Sequence, residues 1–249
     1  MDFDKELFFD LVDKDRANLP QSERIKTPYK YLITGNTFDA HTLDNIHQGA
    51  YFSNGYWFSL QYFKHLDATI RAEFTLQTPL SAQNVHLKSH ILNTTDSVFL
   101  HIRRGDYLQY SEHYTNLCEG KYYEGAIRLI KSKLTKPYIF IFSNDIAWCE
   151  REFLGILSDE CKEGVEFEFV ANNGEDSAVQ EMELMRSCQN AIIANSTFSW
   201  WASYLIDNPR KIVAMPNRYC KDSTLITYNN DTVIFESVVL VDYLTGEIL

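Results

Sequence analysis

From Ser97 onward, short apolar runs alternate with stretches whose apolar residues recur at helical spacing. The runs Val98-Phe99-Leu100-His101-Ile102, Tyr138-Ile139-Phe140-Ile141-Phe142, Phe167-Glu168-Phe169-Val170, Ala191-Ile192-Ile193-Ala194 and Lys211-Ile212-Val213-Ala214-Met215 predict five strands. Helical patterns over 122–134, 145–157, 178–188 and about 197–206 fall between them. This alternation predicts parallel βαβ units and hence an α/β fold with a Rossmann-like, doubly wound parallel sheet. The third helix has a start signal, with Ser177 placed to cap it and Gln180 to close a capping box. Ala178, Met182, Met185 and Cys188 then face the sheet, a methionine-bearing stripe that reads as core rather than as a cofactor box.

Residues before about 90 are less patterned. They show a short helical stretch over Phe3 to Val12, a polar stretch through Pro20 and Pro28, and a Gly-punctuated segment at Tyr51-Phe52-Ser53-Asn54-Gly55. Trp57 to Phe74 then places Phe58, Tyr62, Leu66, Ile70 and Phe74 four apart, which predicts one amphipathic helix.

Composition narrows the partners. The 249 residues include 45% hydrophobic and 14% aromatic side chains, enough for a packed core. A formal net charge of -11 argues against a nucleic-acid coat or a general affinity for anionic membranes, so an anionic ligand needs a local basic site. Cys118, Cys149, Cys161, Cys188 and Cys220 show neither paired nor zinc-ligand spacing, which fits a reducing compartment. The first thirty residues carry no signal-peptide core, and no apolar run is long enough to span a membrane. The expected location is therefore the cytoplasm, with peripheral attachment to the inner face of the membrane left open. On that reading the sequons at Asn93 and Asn195 stay unmodified.

The chemistry gathers at predicted strand exits, where open α/β sheets bind ligands. His101-Ile102-Arg103-Arg104-Gly105-Asp106-Tyr107 brings two permanently charged guanidiniums to one exit, suited to holding phosphate oxygens and to stabilising a departing diphosphate. Neighbouring side chains of an extended segment point opposite ways, so one arginine is expected to meet phosphate while the other pairs with Asp106. An isolated string of this kind is more often a surface ion pair in a turn. At a second exit, Asn195, Ser196, Thr197 and Ser199 lead into a helix whose free amides make an anion site, although ordinary capping explains such residues equally well. At a third, Asp145 either accepts hydrogen bonds from a guanine edge or caps the next helix.

Taken together, His101 through Tyr107, Phe140-Ile141-Phe142-Ser143-Asn144-Asp145, and Met185-Arg186-Ser187-Cys188 through Ile193-Ala194-Asn195-Ser196-Thr197-Phe198-Ser199-Trp200-Trp201 resemble the bacterial α-1,2-fucosyltransferases of glycosyltransferase family eleven. The resemblance covers about Tyr51 to Met215. It implies a GT-B-type arrangement, GDP-β-L-fucose as donor, inversion at the anomeric carbon, no metal or other cofactor, and the 2-hydroxyl of a galactose-containing oligosaccharide as acceptor. It gives a donor-site role to His101, Arg103, Arg104 and Asp106, with Arg103, Arg104 and Asp106 also expected as the catalytic residues, proposes Asp145 for guanine, and proposes Asn195, Ser196, Thr197 and Ser199 for the phosphate loop. Residues 1–90 are then an abbreviated acceptor-side region and 91–249 the domain that binds the GDP-sugar.

Family members usually begin with a strand leading into a Gly-Gly-Leu-Gly-Asn-Gln-like loop, which this chain lacks. A transferase for another GDP-sugar and a non-catalytic nucleotide- or glycan-binding relative are the alternatives. No residue reads as the general base: Asp106 beside two arginines is more plausibly structural. Tyr51, Tyr56 and Trp57 are aromatic candidates for stacking on an acceptor sugar.

Overall fold

The computed structural model describes residues 29–34, 50–54, 59–221 and 233–249. Contacts divide the chain into two units, Met1–Tyr62 and Phe63–Leu249. In the first unit, β1 (Tyr29–Thr34) and β2 (Ala50–Asn54) pair in parallel, with Leu32 opposite Phe52 and Thr34 opposite Asn54. Neither strand was predicted. The helical stretch expected over Phe3 to Val12, together with Tyr56 and Trp57, lies outside the described residues.

The second unit opens with α1 (Asp67–Glu73) and α2 (Ala82–Asn93), followed by β3 (Ser97–Ile102), α3 (Gly105–Gln109), α4 (Tyr122–Lys133) and β4 (Tyr138–Ser143). Next come α5 (Ile146–Glu152), α6 (Asp159–Lys162), β5 (Glu166–Phe169), α7 (Ala178–Met185) and β6 (Asn190–Ile192). It closes with α8 (Thr197–Leu205), β7 (Val213–Pro216) and β8 (Val238–Val241). The strands form one sheet in the order β5-β4-β3-β6-β7-β8, every neighbouring pair parallel. The chain steps outward from β3 to β5, returns to β6 beside β3, and steps outward again to β8. The crevice between the exits of β3 and β6 is therefore the topological switch point, where doubly wound sheets bind ligands.

Strand alternation sorts the side chains into two layers. Val98, Leu100 and Ile102 join Tyr122, Tyr123, Ile127 and Ile130 of α4, together with Ile139 and Ile141, in one buried cluster. Phe99, Phe140 and Phe142 alternate with them and are also fully buried. Tyr122 reaches from the first residue of α4 to the strand exits, its hydroxyl donating to the carbonyls of Ile193 (2.6 Å) and Ala214 (2.9 Å).

Three expectations need correction. The sheet has a sixth strand, β8, whose short run Val238-Val239-Leu240-Val241 sits at the edge. Trp57 to Phe74 is not one helix: among the described residues, short 3-10 turns at Leu60–Tyr62 and Lys64–Leu66 precede α1, and Leu66 is 45% exposed. Aromatic packing sets this path. Trp201 of α8 stacks between Phe63 (5.1 Å between centroids) and Phe74 (4.9 Å), and Phe63 leaves helical geometry at φ -134°. Finally, Ser177 makes no capping hydrogen bond to α7. Gln180 turns outward to α2, its Oε1 accepting from the Ser81 amide (2.9 Å) and from Asn84 Nδ2 (2.8 Å).

Candidate functional site

At the exit of β3 the side chains continue to alternate. His101 and Arg103 project to one face of the sheet; Arg104 projects to the other, where α4 and α5 pack. Arg103 Nη2 donates to Asp106 Oδ2 (3.0 Å), with Nε 2.9 Å from Oδ1, and the guanidinium lies 5.7 Å from the Tyr107 ring. Arg104 is more enclosed, its side chain 12% exposed against 32% for Arg103. Its guanidinium stacks on Trp148 at 3.5 Å and its Nε lies 3.3 Å from Asp145 Oδ2. The partner of Asp106 is therefore Arg103. Arg104, which it was equally open to expect on the phosphates, is held against α5.

The turn after β3 is tight because β4 ends beside it. The Arg104 amide donates to Asn144 Oδ1 (2.9 Å), and a Cβ on Gly105 would lie 2.3 Å from Asn144 Nδ2. Asp145 Oδ1 accepts from the Trp148 amide (3.3 Å), so this carboxylate caps α5 while its other oxygen faces Arg104. Each oxygen thus has one partner within the fold, and the side chain remains 36% exposed.

His101 is buried, with its ring 5.8 Å from Phe198 and its Nδ1 without a hydrogen-bond partner. Burial and then the charge of Arg103 lower its pKa to about 3, so it is a neutral imidazole. Glu181, in the first turn of α7, feels the same arginine. Burial raises its pKa to about 7, and Arg103 pulls the other way. Nothing in the sequence marked Glu181 beyond an acidic residue in a helix's first turn, which reads first as complementing the helix dipole. Its position at the sheet's carboxyl edge becomes visible only once α7 is placed.

Across the crevice, β6 runs out through Asn195 into α8. Asn195 is a structural hub, its Nδ2 donating to the carbonyls of Thr115 (3.0 Å) and Tyr219 (2.7 Å). Ser199 is fully buried, and its Oγ donates back to the carbonyls of Ser196 (3.2 Å) and Ala194 (3.4 Å). Ser196 makes no capping hydrogen bond with its side chain, and Thr197 is exposed at the helix start. The leading amides of α8, which have no partner within the helix, are left as the donors on this side. The two sides are tied directly by Tyr107, whose hydroxyl donates to the Asn195 carbonyl at 2.8 Å. Among the described residues, no three His, Cys, Asp or Glu side chains are grouped to hold a metal ion, and no helix is long and apolar enough to cross a membrane.

A parallel sheet with an arginine on one side of its switch point and a helix N-terminus on the other defines a Rossmann-like α/β domain shaped to hold an anionic ligand. The chain belongs to glycosyl transferase family 11, a family of GT-B type, whose sequence profile matches residues 18–233. It is similar to an alpha-1,2-colitosyltransferase of Escherichia coli, 32% identical over 180 residues that cover 70% of this chain and 58% of that one. It is also similar to the O-antigen biosynthesis glycosyltransferase WbnK of Escherichia coli (35% over 135 residues; 53% and 42% covered). The third relative is a galactoside alpha-(1,2)-fucosyltransferase 2 of Bos taurus (28% over 157 residues; 61% and 44% covered). The chain thus spans about half the length of the relatives it matches. No solved structure matches it significantly.

Proposed function

We propose that this chain transfers L-fucose from GDP-β-L-fucose to the 2-hydroxyl of a galactoside, with inversion. The observation that carries the reading is the meeting of Arg103 and the α8 N-terminus across one switch point, joined by the Tyr107–Asn195 hydrogen bond. In that crevice the diphosphate lies between the guanidinium and the leading amides. The acceptor oxygen bonds to the fucose anomeric carbon as the bond from that carbon to the phosphate oxygen breaks. GDP leaves with the bonding electrons, and the proton of the acceptor hydroxyl passes to solvent water. Arg103 contributes most as negative charge grows on the departing oxygen, which lowers the barrier rather than only tightening binding. Asp106 holds Arg103 in place for this.

Guanine presents two adjacent N–H donors that a carboxylate can accept, and Asp145 is the candidate, its side chain 36% exposed and its oxygens shared with the Trp148 amide and Arg104. His101, neutral and buried with its Nδ1 unpartnered, lies on the Arg103 face of the sheet.

The relative named as a colitosyltransferase supports a second reading, transfer of colitose from its nucleotide-activated form to the same kind of acceptor. Purified protein incubated with lactose and either donor decides between them. The first reading expects GDP release together with a fucosylated lactose linked at the galactose 2-position. Turnover of the colitosyl donor alone would favour the second reading. GDP binding by calorimetry without transfer of either sugar would mark a non-catalytic nucleotide-binding relative.

A further inference from the structure

The sequence leaves Tyr107 without a role, yet it is the residue through which the two sides of the crevice touch. It sits in α3, directly after the arginine turn. Its ring is stacked on Tyr114 (4.0 Å between centroids, 8° between planes), and Arg103 lies over it. Burial and then the neighbouring Tyr114 push its pKa above the ordinary phenol range, so it stays protonated and can act only as a donor or neutral acceptor. The hydroxyl donates to Asn195, whose own side chain is fixed by the Thr115 and Tyr219 carbonyls. The next residue, Ser196, donates its amide to Ala194 (2.8 Å) and accepts at its carbonyl from the Trp200 amide (3.0 Å), the first hydrogen bond of α8. A rigid path therefore runs from Arg103 through Tyr107 and Asn195 to the start of α8.

We propose that Tyr107 is a positioning residue that sets the spacing between Arg103 and the leading amides of α8, so that both grip one diphosphate at once. This rests on the GDP-sugar reading of the crevice. A span fixed in advance spares the ligand the cost of ordering it, and that benefit is confined to ligands that touch both sides.

Tyr107→Phe removes the hydroxyl and keeps the ring against Tyr114 and Arg103. In the full chain, GDP affinity and kcat/KM for GDP-fucose are expected to fall about tenfold, the size of one hydrogen bond's net contribution. KM for lactose should stay unchanged. In an Arg103→Ala background the same substitution should have little further effect on GDP affinity, because only one side of the clamp remains. Amide exchange without ligand gives a separate readout, with faster exchange at Ser196 and Trp200 while the β3 and β4 amides keep their protection. If wild-type protein binds GDP and Tyr107→Phe binds it equally well, the inference is overturned. If wild-type protein binds no GDP, the reading of the crevice fails; exchange then decides whether Tyr107 sets the spacing, and unchanged exchange at Ser196 and Trp200 overturns that as well.

Discussion

Arg103 and Arg104 carry equal charge one residue apart, and the fold gives them different work. Arg103 faces the crevice with an ion pair that leaves it about a third exposed, whereas Arg104 is packed on Trp148 and against Asp145. A guanidinium already stacked and paired adds little to a passing anion, but its removal exposes an aromatic face and strips Asp145 of a partner. Arg103→Ala is therefore expected to lower kcat for fucosyl transfer by about a hundredfold or more, the scale of losing one preorganised electrostatic donor. Its melting temperature should barely change. Arg104→Ala should instead cost about 1–2 kcal/mol of stability, through the lost cation–π contact and ion pair. Initial rates and thermal melts on the two variants separate the roles, and equal rate loss with unchanged melts in both would show that the division is wrong. The opposed directions of these side chains were legible from strand alternation. Their partners were only half legible, since Asp106 lies in the same turn while Asp145 arrives from the next strand.

At the scale of elements, strands β3 to β7 were readable because each is an apolar run too short for a helix and bounded by polar residues. Strand β8 has the same character, but its four residues lie apart from the helix–strand alternation, and three of them are only half buried. Helix α2 escaped for a different reason. Val85 and Leu92 point to solvent (55% and 60% exposed) while Asn84 is buried beside Leu87 and Ile91, so apolar residues do not mark out the buried face. The expected helix through Trp57–Phe74 failed in the opposite sense, its repeat of four being real in the sequence but overridden by packing against Trp201. Close approach matters as much as pattern where α4 meets the C-terminal turn. A Cβ on Gly125 would lie 2.2 Å from the Gly246 carbonyl oxygen, and Gly246 itself holds φ +72°, a region that suits glycine. Backbone cannot yield as a side chain would, so Gly125→Ala should destabilise the second unit by about 1–3 kcal/mol. A urea melt followed by circular dichroism measures it; a midpoint within error of wild type would mean that α4 shifts freely.

For the whole molecule, the two groups flanking Arg103 make opposite demands on pH. His101 is neutral in the fold down to about 3, whereas in the unfolded chain it takes up a proton below about 6.5. Its contribution is complete above 6.5 and is lost as pH falls toward 3, with a slope approaching about 1.4 kcal/mol per pH unit. Glu181 keeps its proton in the fold up to about 7 and loses it near 4.5 when unfolded. Its contribution is complete below 4.5 and is lost as pH rises through 7. Between pH 4.5 and 6.5 the folded chain therefore holds one extra proton at Glu181 and the unfolded chain one extra at His101, so the two slopes offset each other. The carboxylates whose pKa values are lowered in the fold, Asp67, Glu124, Asp159 and Asp242, act below this window. Stability of the wild-type second unit should accordingly be nearly flat from pH 4.5 to 6.5 and fall below it. Glu181→Gln leaves His101 unopposed, so unfolding free energy should then climb with pH across that same window. Urea melts at half-unit steps of pH read the difference directly. A Glu181→Gln profile as flat as wild type would mean that His101 reaches solvent in the folded chain, and with it that the face of the crevice beside Arg103 is wet rather than closed.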